Sequence, residues 1–205
     1  MFEHLSEFFQ TLISSEKIIY YGGLTLLIIV VFAETGLFIG FFLPGDYLLF
    51  TAGVLCGTKY LDISIFLLVI SLTLASVIGN YVGFFTGKTL GKRLFIKSDS
   101  RFFKKERVQR AKNFYDKRGA VSIILGRFLP IVRTFAPIIA GAVDMNWKKF
   151  SYYNWTGGIL WVWSLVFTGY FLGRSNPEII NYLDYIIIGF ILITTFILLK
   201  NTFKK

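Results

Sequence analysis

Long apolar runs broken by short polar interruptions organise this chain. From Ile18 the sequence is apolar to Leu43, stops at Pro44-Gly45-Asp46, and resumes from Tyr47 to Cys56. A helix drawn straight through Pro44-Gly45 would lose a backbone hydrogen bond and clash with its preceding turn. Residues 18–57 are therefore predicted to form a re-entrant segment that turns at Pro44 and Gly45 and leaves on the side it entered, with protein covering the freed backbone groups. Residues 62–87 form an apolar run long enough to cross a bilayer with some tilt. After a polar stretch, Ala120 to Ala142 is apolar again but contains Arg127, Pro130, Arg133 and Pro137. Two prolines so close argue against one continuous helix, so residues 119–145 read as a second re-entrant segment with turns at Pro130 and Pro137. Spans at 150–172 and 179–199 complete the pattern. Residues 1–17 carry Glu3, Glu7 and Glu16 where a secretory signal would be basic, and read as a retained amphipathic lead-in.

The two broken segments share a pattern. Gly40-Phe41-Phe42-Leu43-Pro44 and Gly126-Arg127-Phe128-Leu129-Pro130 both read G-x-F-L-P. Some forty residues after each comes T-G-x-x-L-G-[KR], at Thr86 to Lys92 and at Thr168 to Arg174. Each half is then a hairpin, which adds no net crossing, plus a span, which adds one, so the second half must run inverted. The expected fold is an all-α polytopic membrane protein: two inverted repeats, each a re-entrant helical hairpin plus a transmembrane helix, with amphipathic surface helices and a final transmembrane helix. Many secondary transporters are built this way, with a site near the midplane.

Composition sharpens the class. The chain has 205 residues, 55% of them hydrophobic and 17% charged, with a mean hydropathy of +0.63, too apolar for an ordinary soluble domain. The net charge of +10 would suggest nucleic acid in a soluble protein. Here, however, 12 of the 22 Lys and Arg residues fall between Lys88 and Arg118, interleaved with aromatic residues. Residues 88–118 thus read as a basic amphipathic helix on the cytoplasmic membrane surface, and no nucleic-acid partner is expected. Lys200, Lys204 and Lys205 place the carboxyl terminus in the cytoplasm by the same charge rule. One cysteine, Cys56, and one histidine, His4, exclude an internal disulfide, a structural zinc site and a serine–histidine triad. Neither metal nor cofactor is expected.

Four charges stand inside apolar sequence. Glu34 and Asp46 flank the first G-x-F-L-P, while Arg127 and Arg133 lie in and just after the second. A charge at the centre of a membrane helix costs about 2.5–3.5 kcal/mol on insertion scales, so such groups persist where they meet one another, water or a ligand. On an ideal helix each pair diverges by about 120°. Breaks at Pro44 and Pro130 would let each pair line the inner ends of its hairpin. Arginine suits phosphate because its planar fork donates two parallel hydrogen bonds and keeps its charge when buried. A carboxylate nearby can exchange a proton, and competition between carboxylate and phosphate for one guanidinium offers a coupling device. The plainer reading makes these charges buried salt bridges that fix helix packing.

Lesser features have structural readings. Gly79, Gly83, Gly87 and Gly91 make a small-xxx-small ridge for close helix contact. Gly87-Lys88-Thr89 lacks the first glycine of a phosphate-binding loop. Asn80 and Asn154 are secondary polar candidates, bridging helices or touching a ligand. Asp144, near Lys148 and Lys149, reads as half of an interfacial ion pair. Trp147, Tyr152, Tyr153, Trp155, Tyr182 and Tyr185 fit interfacial belts.

Taken together, Glu34, Phe42-Leu43-Pro44-Gly45-Asp46, Gly126 to Arg133, Ala140-Gly141, Phe150, Asn154, Gly157 and Trp161 resemble the DedA family, also called the SNARE-associated or VTT-domain family. The similarity runs from about Glu34 to Gly173. It implies a bacterial inner-membrane protein, multi-pass, that moves lipids between leaflets and depends on proton or sodium gradients. By position, the resemblance makes Glu34 and Asp46 the ion-coupling acids and Arg127 and Arg133 the phosphate-binding arginines. Its implied substrates are undecaprenyl phosphate or phosphatidylethanolamine, and eukaryotic relatives act as scramblases. The competing readings are an ion-coupled exporter of small solutes, for which the acids alone suffice, and a membrane enzyme acting on lipid phosphates, against which stands the lack of a histidine nucleophile or metal cluster.

Overall fold

The computed structural model describes residues 15–37, 45–96, 123–182 and 185. Five helices carry these residues: α1 (Ser15–Gly36), α2 (Gly45–Leu55), α3 (Ile65–Ile96), α4 (Pro130–Ala142) and α5 (Trp147–Ser175), followed by a short 3-10 helix, Pro177–Tyr182. Pro44, most of the lead-in, most of the basic stretch and most of the last predicted span lie outside the described residues. Two stretches, Ile65–Thr89 and Trp147–Ser175, are long and apolar enough to cross a membrane. The helices α1, α2 and α4 contain shorter apolar stretches.

Local chemistry sets the boundaries. Helix α1 is broken at Gly23, whose backbone adopts φ 51°, a value glycine reaches without strain. The loop after α2 turns at Gly57, φ 76°, where the Gly57 amide bonds the Leu61 carbonyl at 2.9 Å. Residues 123–126 are helical, and the predicted break then falls at Arg127 to Leu129. There three successive amides bond back only three residues: Arg127 to Ile124, Phe128 to Leu125 and Leu129 to Gly126, at 3.1–3.2 Å. Pro130 opens α4 at a position where its missing N–H is no loss. Helix α5 is capped by Asn146, whose side-chain oxygen accepts from the Lys148 and Lys149 amides at 3.0 and 3.3 Å.

One expectation needs correction. Pro137 is not a hairpin turn; α4 runs through it to Ala142. A proline inside a helix gives up one hydrogen bond to the preceding turn, and here its ring lies against Gly83 of α3, whose missing side chain leaves it room. Helix α3 runs on past its apolar stretch, Ile65–Thr89, to Ile96. Asp144 forms an ion pair with Lys88 of α3, at 2.9 Å, a partner distant in sequence.

The chain forms two compact units. The first comprises Met1–Leu27, Pro44–Ile70 and Trp163–Lys205; the second comprises Ile28–Leu43 and Ser71–Val162. In the first unit α2 lies on the carboxyl-terminal part of α5. A methyl group at Gly53 would overlap the Val166 carbonyl oxygen, and one at Gly169 would overlap the Phe50 carbonyl oxygen. In the second unit α4 lies on α3 in the same manner. A methyl at Gly141 would overlap the Phe84 carbonyl oxygen, and one at Gly87 that of Ile138. In both clasps each glycine therefore abuts the carbonyl three residues before its partner glycine, and Gly87 and Gly169 are the glycines of the two T-G motifs. Contact this close is made by main chain, which bare glycine alone permits. Around the second clasp Phe84, Ile123, Ala140 and Phe150 form a buried cluster, with the Phe84 and Phe150 rings stacked at 4.3 Å.

Replacing Gly53 or Gly141 by alanine is expected to destabilise the protein by about 1–3 kcal/mol, the usual cost of overpacking. Gly83→Ala should be nearly silent, because its nearest neighbour would stand at an ordinary 3.4 Å. Denaturant titration of purified protein in detergent, followed by far-ultraviolet circular dichroism, checks the contrast.

Candidate functional site

Helices α1, α3, α4 and α5 each contribute to a buried polar cluster in the second unit. Its scaffold begins where α1 crosses α3. Gly36 and Gly79 approach so closely that a methyl at Gly36 would sit 2.9 Å from the Gly79 carbonyl oxygen. The Thr35 hydroxyl donates back to the Val31 carbonyl at 2.8 Å, satisfying itself within α1. This crossing carries Glu34, 1% exposed, into the interior.

Glu34 meets Arg133 there. A guanidinium nitrogen of Arg133 donates to Glu34 Oε1, forming an ion pair between residues 99 apart in sequence. The Arg133 guanidinium also lies over the Trp161 ring of α5, 4.5 Å from its centroid, where the ring face attracts a cation. The Thr134 hydroxyl reaches the Glu34 carbonyl at 3.5 Å. Removing one member of such a pair leaves an uncompensated buried charge, which costs far more than the pair itself contributes.

Arg127 is held differently. It leaves the turn before Pro130 and lies along Gly157 and Gly158 of α5; a methyl at Gly157 would stand 3.0 Å from its Cδ. One guanidinium nitrogen donates to Ser76 Oγ at 3.0 Å, and the other to the Asn154 carbonyl at 3.1 Å and to Asn154 Oδ1. Asn154 in turn donates through Nδ2 to the Val77 carbonyl at 3.0 Å. The Asn80 carboxamide has two orientations. In one, Nδ2 donates to Asn154 Oδ1 at 3.0 Å. In the other, Nδ2 donates to the Thr35 carbonyl at 3.2 Å and Oδ1 accepts from Arg127 at 2.8 Å, which satisfies both ends of the amide. The Nε of Arg127 has no hydrogen-bond partner.

Charge in this cluster does not balance. Among the described residues the buried charged side chains are Glu34, Arg127 and Arg133, all in the second unit. Among these residues two buried guanidinium groups stand against one buried carboxylate, which pairs with Arg133, and the charge of Arg133 is near enough to act on Arg127. Of the predicted site residues, Glu34, Arg133, Arg127, Asn80 and Asn154 come together in this unit. Asp46 belongs to the other, half-buried in the first turn of α2. Ser76, Trp161 and the Gly157-Gly158 pair received no role from the sequence. Ser76 and Asn80 were detectable as polar residues four apart on one face of an apolar span. Among the described residues no group of three potential metal ligands occurs.

Comparison with known proteins places these features. Residues 43–171 match the VTT domain. The chain is 38% identical over 169 residues to Protein DedA of Escherichia coli strain K12, covering 82% of this chain and 77% of that protein. It is 39% identical over 167 residues to an uncharacterized membrane protein of Mycobacterium leprae strain TN, covering 82% and 73% respectively. It is 35% identical over 158 residues to inner membrane protein YqjA of Escherichia coli strain K12, covering 77% and 70%. No solved structure matches the chain.

Glu34→Ala is expected to destabilise the protein by about 3–5 kcal/mol, whereas the double replacement Glu34→Leu with Arg133→Leu should recover most of that loss. Resistance of the purified variants to sodium dodecyl sulfate, titrated in mixed micelles, measures the difference.

Proposed function

The chain belongs to the DedA family of VTT-domain membrane proteins, and from that footing we propose that it is a translocase carrying an anionic lipid between leaflets, with undecaprenyl phosphate the first candidate. One observation carries the reading: among the described residues two buried guanidinium groups stand against one buried carboxylate, Glu34, which pairs with Arg133. Unneutralised charge is costly in a membrane protein and marks a ligand or ion pathway more often than a structural brace. A phosphate monoester has the charge and the oxygen geometry to fill the deficit.

The proposed mechanism is an exchange. An arriving phosphate takes the Arg133 guanidinium in competition with Glu34, while Arg127 supplies the second donor set. Glu34, left in a low-dielectric site without its counter-charge, takes up a proton and returns it when the lipid departs. Asp46, the half-buried acid of α2, serves as the second coupling acid. Sodium in place of the proton would be taken up at Glu34.

The proposed frame is an inverted repeat of two re-entrant hairpins, each followed by a span, in a multi-pass bacterial inner-membrane protein with a cytoplasmic carboxyl terminus. Its support is the recurrence of one glycine clasp: Gly53 with Gly169, and Gly141 with Gly87, each meeting the carbonyl three residues before its partner. In each clasp the helix after a G-x-F-L-P break grips the end of the span marked by the other T-G motif.

Arg127→Ala and Arg133→Ala are each expected to lower uptake of labelled undecaprenyl phosphate into proteoliposomes by about 100-fold or more, a loss of about 2.7 kcal/mol. Insertion of the variants is checked by their protection from external protease. Uptake of phosphatidylethanolamine in parallel, with and without a pH gradient, separates this reading from a general phospholipid transporter. Normal transport by both variants would overturn the assignment.

A further inference from the structure

The two buried arginines are anchored by opposite means. Arg133 has an acid, Glu34. Arg127 has Ser76, Asn154 and, in its satisfied orientation, Asn80; every one of these acceptors is uncharged. A carboxylate would hold a guanidinium more strongly than any of them. An acid among them would also cancel the charge of Arg127, and none is present.

We propose that Asn154 is a positioning residue for the anionic headgroup: it fixes the Arg127 guanidinium with neutral acceptors, so that its charge is aimed but not cancelled. The inference rests on the phosphate-binding reading above and deepens it. Three features of the site support it. First, Asn154 is fully buried and bonds in both directions. Its Nδ2 must face the Val77 carbonyl, 3.0 Å away, because only a donor can, and this turns Oδ1 toward Arg127 without choice. An amide alone meets both demands, since a carboxylate would set one oxygen against the Val77 carbonyl. Second, the two adjacent Asn154 acceptors, side-chain and main-chain, take the same Arg127 nitrogen. Ser76 takes the other terminal nitrogen. The plane of the fork is thereby fixed from α3 and α5 together. Third, Gly157 and Gly158 clear the path of the Arg127 side chain along α5. Position, plane and approach are all specified, while the net charge is left standing and Nε keeps an unused donor.

A purely structural asparagine and a charge-preserving one respond in opposite order to substitution. Asn154→Ala removes the acceptor but leaves the charge; Asn154→Asp keeps an acceptor for Arg127 and neutralises it. The probe is short-chain dihexanoyl phosphatidic acid added to the purified full-length protein in detergent, with dihexanoyl phosphatidylcholine as the zwitterionic control. The readout is the lipid concentration that half-saturates the rise in melting temperature. Wild type should respond to the phosphatidic acid alone. Asn154→Asp should shift the half-saturating concentration upward by about tenfold or more, the effect of one added negative charge beside the guanidinium, and Asn154→Ala should shift it less. Because the aspartate also faces the Val77 carbonyl, the same comparison is made with Asn80→Asp and Asn80→Ala. The order Asp worse than Ala at either position, among variants that still melt cooperatively, supports the proposal. Asp binding as well as Ala, or better, at both positions overturns it while leaving the lipid reading intact, and so does failure of both aspartate variants to fold, since the charge would then matter to stability alone. Absence of any response by wild type to the phosphatidic acid overturns the lipid reading itself, and this inference with it.

Discussion

A guanidinium group in an apolar interior must be compensated, and the second unit of this protein is arranged around meeting that demand twice. Four helices deliver the groups that do so. The α1–α3 crossing at Gly36 and Gly79 brings Glu34 inward; α3 supplies Ser76 and Asn80; α5 supplies Asn154 and Trp161; and the turn ahead of α4 releases Arg127 just before Pro130 starts a new helix. Asn154 also joins α5 to α3 directly, through its bond to the Val77 carbonyl. The polar groups define the arrangement, and apolar packing, such as the Phe84 and Phe150 stack, consolidates it.

The unequal treatment of the two arginines gives the site its chemical direction. A salt bridge can be opened by a competing anion, because the anion replaces what it displaces. A set of neutral acceptors offers nothing for an anion to displace, and its guanidinium remains where the fold put it. On the proposed transport reading, the cluster would combine one exchangeable cation, Arg133, with one fixed cation, Arg127, and Glu34 would stand between the resting and the occupied arrangement. Such a division suits transport, where binding must be followed by release.

Much of this was legible in the sequence because charge and proline are conspicuous in apolar runs. Glu34, Arg127 and Arg133 stood out for that reason, and the break before Pro130 followed from the missing amide of proline. Pro137 misled, because the rule against proline inside helices assumes that nothing gains from it; here Gly83 makes room for the ring. The partner of Asp144 was missed because Lys88 lies far away in sequence and only the α3–α4 packing brings it near. Ser76 escaped notice, and Trp161 counted only toward the family resemblance, because serine and tryptophan are unremarkable in membrane helices and their significance exists only once Arg127 and Arg133 are placed beside them. The glycine ridge of α3 announced close packing, but the carbonyls it would meet belong to α4 and could not be read from α3.

The clasps have an implication for how such chains drift. A joint formed by bare main chain places no demand on surrounding side chains beyond their being greasy, so mutation can rewrite nearly every neighbouring letter without loosening it. What such a joint requires to be kept is the interval between its glycines. The faintness of the internal similarity in this chain, a handful of letters in each half, is then what a backbone joint should leave behind, and divergent kin would be found sooner by glycine spacing than by matching their oily residues.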